Sequence, residues 1–165
     1  MLTSITTETA NRWPIPNTIN IDVVGNENLV TQLLADEHSA QVRTGATGRY
    51  NCHGLTFGAR RTCIDDVASI QKILSDDGYR IVPPIDVMAG DIVVYYDDGV
   101  VSHSGIVVEV VTEGLRACRV VSKWGVVGAE FLHWVHRSPY GGQYQFFRVD
   151  HSEETKIISN IILSA

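Results

Sequence analysis

The stretch Tyr50-Asn51-Cys52-His53-Gly54-Leu55-Thr56-Phe57-Gly58 decides how the rest of the chain is read. It follows a glycine-containing loop, Thr44-Gly45-Ala46-Thr47-Gly48, and carries small and apolar residues after the cysteine. Gly54 and Gly58 stand four apart, so on a helix they make one smooth strip where a sheet can approach closely. The pattern predicts a helix that opens at or near Cys52. Unpaired backbone N–H groups and the positive dipole end favour thiolate over thiol there. That help matters for a thiol whose ordinary pKa is about 8.5. The same N–H groups suit an oxyanion formed when a thiolate attacks a carbonyl. A free cysteine is also a good small buried hydrophobe, and local context alone leaves the two readings level.

Outward from this stretch, the chain divides into a helical first half and a strand-rich second half. The N-terminal segment 1–25 reads as extended, because Pro14 and Pro16 push their predecessors away from helix. Residues 26–42 read as a helix with Leu29, Val30, Leu33 and Leu34 on one buried face and Asn26 or Asn28 as cap. A second helix opens at Asp65-Asp66, buries Val67, Ile70, Ile73 and Leu74, and stops at Asp76-Asp77-Gly78. After Pro83-Pro84 come short runs rich in Val, Ile, Tyr and Phe at 91–96, 104–111, 117–122, 130–135 and 144–149. Turn signals separate them, from Asp97-Asp98-Gly99 to Pro139-Tyr140-Gly141-Gly142. Helices followed by adjacent strands predict an α+β domain with a largely antiparallel sheet of about five strands. A short helix is expected from Asp150, where Asp150 and Glu153 have capping-box spacing, within a C-terminal tail 150–165.

Bulk properties bound the function. A length of 165 residues suits a single domain, 1–165, with a core of its own. A net charge of -6, with 13 scattered basic residues, argues against a partner that tracks a nucleic-acid backbone. The cysteines Cys52, Cys63 and Cys118 cannot all pair within the chain and have no CxxC spacing, which favours free thiols in a reducing compartment. No basic region followed by an apolar run marks a signal peptide, and no apolar stretch is long enough for a membrane span. A soluble protein is expected, cytoplasmic or delivered by a signal-peptide-independent route. The apolar run from Ile157 to Leu163 is too short to cross, and is expected to pack on the domain or meet a protein partner.

A thiol nucleophile needs a base. His103, in Val100-Val101-Ser102-His103-Ser104-Gly105-Ile106-Val107-Val108, stands after a turn at the start of the most apolar strand. There it is expected to lean over the sheet edge toward a packed helix, with Gly105 leaving room. The remaining histidines lack this setting. His133 and His136 have helical spacing but lie in strand-like sequence, so no metal pair is assigned, and no cofactor is required.

The order Asn51-Cys52-His53-Gly54-Leu55, then Gly90-Asp91-Ile92-Val93-Val94-Tyr95, then His103-Ser104-Gly105-Ile106-Val107-Val108 resembles NlpC-like papain-fold peptidases and the related CHAP amidases. The likeness runs from about Tyr50 to Gly125. It implies a papain-like core in which a cysteine-bearing helix packs on the sheet, with Cys52 and His103 as the catalytic pair. Two departures stand out. The family usually shows Asp-Cys-Ser-Gly where this chain has Asn-Cys-His-Gly. Its third catalytic member is a polar residue, often His, Asn or Gln, on the next strand, where Ser122 falls nearest. Alternation sends Lys123 to the opposite face, and a lysine would in any case oppose an imidazolium. The resemblance also allows Tyr50 beside the oxyanion. Trp124 beside Gly125, with Tyr95-Tyr96, is a candidate wall of a substrate groove, and His53, next to the cysteine, is a further oxyanion- or substrate-binding candidate. Glu130 and His133 are weaker candidates for the site edge, and Arg60-Arg61 for attracting an acidic group.

The expected activity is cleavage of an amide bond in a peptide or isopeptide through an acyl-enzyme, with peptidoglycan peptides implied by the resemblance. The missing signal peptide suits an intracellular hydrolase, a delivered toxin or a phage product. Two other readings stay open: a deamidase or acyl- or amine-transferase acting on proteins, and a non-catalytic papain-like shell that binds a partner.

Overall fold

A computed structural model describes residues 2–20, 25, 29–112 and 117–149. In chain order the elements are β1 (Leu2–Thr3), β2 (Ile19–Asn20), α1 (Leu29–Glu37), β3 (Gln41–Val42), α2 (Cys52–Phe57), α3 (Val67–Asp76) and β4 (Tyr79–Val82). They continue with β5 (Ile92–Asp97), β6 (Val100–Val111), β7 (Ala117–Lys123), β8 (Glu130–Trp134) and β9 (Gln143–Val149). The fold is α+β. Seven strands form one sheet in the order β3-β8-β7-β6-β5-β9-β4, with every pairing antiparallel, and β1 pairs with β2 apart from it.

The expected five strands all form, as β5 to β9, but the sheet has seven. The additional strands are its two edges. β3 has two residues and β4 four, cut off by Pro83. Runs that short carry too little alternation to be read as strands.

Helix α3 forms where its pattern places it. Asp66 caps it by accepting from the Ala68 and Ser69 N–H groups, Ile70 and Ile73 are buried, and Gly78 turns the chain at φ 71°. Helix α1 is shorter than the expected 26–42. It ends at Glu37, Ser39 takes φ 53°, and Gln41–Val42 joins the sheet edge. Its buried side also differs. Leu33 is exposed, whereas Ala35 packs with Trp124 and Phe131. The expected caps Asn26 and Asn28, the helix expected from Asp150 and the apolar run 157–163 lie outside the described residues.

Because side chains alternate along a strand, the sheet separates two cores. One face packs Ile92, Val94, Val101 and Phe147 against Ile70 and Ile73 of α3 and Ile64 before it. Leu55 of α2 rests on Val121 of that same face. The other face gathers Val93, Tyr95, Val107, Val120 and Phe146. Burial of this kind contributes roughly 1.5–3 kcal/mol per large aliphatic side chain.

The turn that feeds the sheet is held by charge. Gly90 takes φ +97°, a conformation suited to glycine, and its N–H donates to Val107. Asp91 is buried and accepts from Arg148 Nε at 2.6 Å and Nη2 at 2.8 Å, and from the Met88 N–H at 2.9 Å. This bidentate pair pins the start of β5 to the end of β9. Arg148→Met removes the partner of a buried carboxylate and should cost about 2–4 kcal/mol of stability. Urea denaturation of the two proteins measures it.

Candidate active site

Cys52 is the first residue of α2, and Asn51 is its cap. The Asn51 side chain uses both ends. Its Oδ1 accepts from the Gly54 N–H at 2.8 Å and the Ile64 N–H at 3.1 Å, while Nδ2 donates to Ile64 O at 2.8 Å and Asp65 Oδ1 at 2.9 Å. A carboxylate has no protons for the last two bonds. An amide is therefore what ties the start of α2 to the chain ahead of α3. Gly54 serves the same junction. A Cβ on it would lie 1.7 Å from Thr62 O, so the smooth strip admits the segment at Thr62, not the sheet.

The sheet meets α2 through Ser104. Its hydroxyl lies 2.8 Å from His53 Nδ1, 2.9 Å from Thr56 Oγ1 and 3.4 Å from Cys52 O. His53 is thus buried under the helix, and burial lowers its pKa to about 4. Since Ser104 faces α2, the preceding His103 faces the other side, where its ring lies 5.8 Å from Tyr95. The expectation that His103 leans toward the helix is corrected here. Gly105 makes room for β7 instead: a Cβ would meet Val121 O at 2.8 Å and Ser122 Cβ at 3.1 Å.

Cys52 and His103 nevertheless meet one hollow of about 250 Å³, at the end of the sheet where β6 begins and β7 finishes. Its wall also includes His53, Lys123, Gly125 and Tyr140. Tyr140 stacks on the His103 ring, centroids 4.0 Å apart, and its hydroxyl accepts from the Gly125 N–H at 2.9 Å. His103 is buried, and its Nε2 has no hydrogen-bond partner among the described residues. Burial first, then the neighbouring His53 and His133, hold its pKa well below the ordinary value. The thiol is pushed up to about 11 by burial, against the pull of the Ser104, His53 and Cys52 N–H groups and of Lys123. Burial outweighs the dipole help expected at the helix start, and α2 has only six residues. The resting pair is a neutral thiol and a neutral imidazole.

No protein-family model, curated protein or solved structure matches this chain.

The remaining expected site residues lie apart from the hollow. Ser122 shares the His103 face but bonds elsewhere. Trp124 Nε1 donates to Ser122 Oγ at 3.0 Å, Ser122 Oγ lies 2.8 Å from His133 Nε2, and His133 Nδ1 lies 2.9 Å from Trp134 O. A carbonyl accepts only, so His133 carries its proton on Nδ1 and Ser122 donates to Nε2. Trp124 is buried against Phe131, centroids 4.5 Å apart, not on the hollow's wall. Tyr50 donates to Glu130 Oε1 at 2.8 Å, and Arg60 donates to the same carboxylate through Nε at 2.6 Å and Nη2 at 3.2 Å. Burial would raise the Glu130 pKa, but these bonds win and hold it low. Glu130 and Arg60 are therefore ion-pair partners, and neither lines the hollow.

Tyr140 and Lys123 stand on the wall without having been among the expected site residues. Tyr140 reads as part of a turn, and only tertiary folding brings it over His103. Lys123 does lie on the face opposite Ser122, as alternation requires, but that face is the one carrying α2 and Cys52. A larger hollow of about 350 Å³ beside Glu8, Arg61 and Asp77 brings neither thiol nor imidazole to its wall among the described residues. Among the described residues no group of three or more His, Cys, Asp and Glu is arranged to hold a metal, and no helix is long and apolar enough to cross a membrane.

The buried histidines make stability depend on pH. Their folded pKa values lie below the unfolded value of about 6.5, so the unfolded chain binds more protons as pH falls. For His53 and His133, stability is full above about 6.5 and is lost down to about 4. The melting temperature should fall across that window. In His133→Gln, a fold that persists should lose a smaller increment between the same two pH values than the parent does.

Proposed function

We propose that the chain is a cysteine-dependent amide hydrolase with a papain-like core of the NlpC or CHAP kind, in which Cys52 is the nucleophile and His103 the base. One observation carries the reading: the thiol shares a hollow with an imidazole whose Nε2 is buried and unbonded among the described residues. Such a nitrogen costs free energy to leave unpaired, which suits a group kept available to receive a proton.

The neutral resting pair sets the order of events. Cys52 sulfur bonds to the substrate carbonyl carbon while its proton passes to His103 Nε2. Collapse of the adduct breaks the C–N bond, and His103 returns the proton to the departing amine. Water then cleaves the thioester, with His103 taking and returning its proton. His103 works here as a general base, not as half of a standing ion pair. Peptide or isopeptide substrates, peptidoglycan peptides among them, follow from the sequence resemblance.

The raised thiol also favours a second reading, a non-catalytic shell that uses the hollow for binding. Thiol capture separates the two. Under limited iodoacetamide, half-buried Cys52 should be modified well before the buried Cys63 and Cys118, and His103→Ala should slow that reaction. Once a screen of peptide and amide substrates supplies one, His103→Ala should lower turnover by roughly 10²–10⁴-fold. Equal, slow labelling of all three thiols would sink the hydrolase reading.

A further inference from the structure

Lys123 is the ionised wall residue that proton transfer between Cys52 and His103 leaves unexplained. We propose that it is the anion-recognising residue of the Cys52 hollow, so that the substrate carries a carboxylate close to the carbonyl that Cys52 attacks; this rests on the nucleophilic reading of Cys52.

The lysine is 1% exposed and makes no ion pair among the described residues. Glu130 stands directly across from it in the β7–β8 pairing, but Arg60 and Tyr50 already occupy that carboxylate. The ammonium instead donates to Gly125 O at 2.9 Å and Val126 O at 2.7 Å, and lies 5.5 Å from the Tyr50 ring centre. Gly125 and Val126 belong to the turn that walls the hollow. Two carbonyls of the turn and the Tyr50 ring thus hold the ammonium, and no anionic group bonds to it among the described residues.

A clasp for that turn would explain the two carbonyl bonds but not the charge. A neutral amide donor would hold both carbonyls without an unpaired buried cation, whose desolvation is costly. The other formally charged residue of the wall, Asp65, is exposed and bonded to Asn51, so the inner wall remains cationic. Burial lowers the lysine pKa to about 8, which leaves most of it protonated at neutral pH. An anion entering the hollow would complete the pairing that Glu130 withholds.

Paired alkylation tests this on the full chain. Iodoacetate and iodoacetamide differ in charge and little in size, and the rate of each at Cys52 is read by mass spectrometry at pH 7. The iodoacetate-to-iodoacetamide rate ratio at Cys52 should exceed that of a free cysteine peptide by about tenfold. Lys123→Gln keeps an amide donor for the turn and should bring the ratio back to the peptide value, while Lys123→Arg should retain it. A wild-type ratio no higher than the peptide's overturns the proposal, whether or not Lys123→Gln folds. A ratio unchanged in a folded Lys123→Gln overturns it too, and preferential iodoacetamide capture at Cys52 would then leave the nucleophile standing. Absence of preferential capture by either reagent removes the nucleophile and this proposal together.

Discussion

Period-two alternation along β6 governs where chemistry can occur in this molecule. Ser104 is taken up by α2, so His103 must look to the opposite side of the sheet. A thiol on one side and an imidazole on the other share space only beyond the end of the sheet. That is where β6 begins, β7 ends, and the 125–126 turn and Tyr140 supply the remaining wall. The tight helix-to-sheet seam is what moves the hollow to the margin.

The molecule treats the two buried ions that face each other across β7 and β8 differently. Glu130 is surrounded by donors, and its carboxylate joins Tyr50, just before the cysteine, to Arg60, just after α2. Lys123 has carbonyls and an aromatic face but no contact ion pair among the described residues, and Glu130 across the strands reaches it only through space. The first arrangement fastens α2 to β8. The second leaves a positive field at the wall beside the sulfur, in surroundings whose low polarity strengthens it.

Much of the frame was legible in the sequence because it rests on local rules. Asp66 and Gly78 bound α3 through capping and a positive φ, and the five valine- and tyrosine-rich runs became β5 to β9. Cys52 stands at the start of a helix, as its small-residue pattern suggested. What escaped was non-local. The strands β3 and β4 owe their existence to the edges they pair with. Leu33 and Ala35 exchanged roles because the side α1 buries is set by Trp124 and Phe131, far along the chain. Lys123 was placed on its proper face by alternation, but which face carried α2 was a tertiary fact. Ser122 fell at the expected strand position, yet its proton was committed to His133 by a bond no spacing reveals.

That commitment has an electrical meaning. The line from Trp124 through Ser122 and His133 to Trp134 O begins on an indole N–H and ends on a carbonyl oxygen. An indole N–H donates only, and a carbonyl accepts only. The order of protons along the line therefore has one direction and no means of reversing. It is an insulator rather than a wire. A proton released at the mouth of the sheet finds no conducting path along this line, and its exchange is confined to the hollow and the water that reaches it.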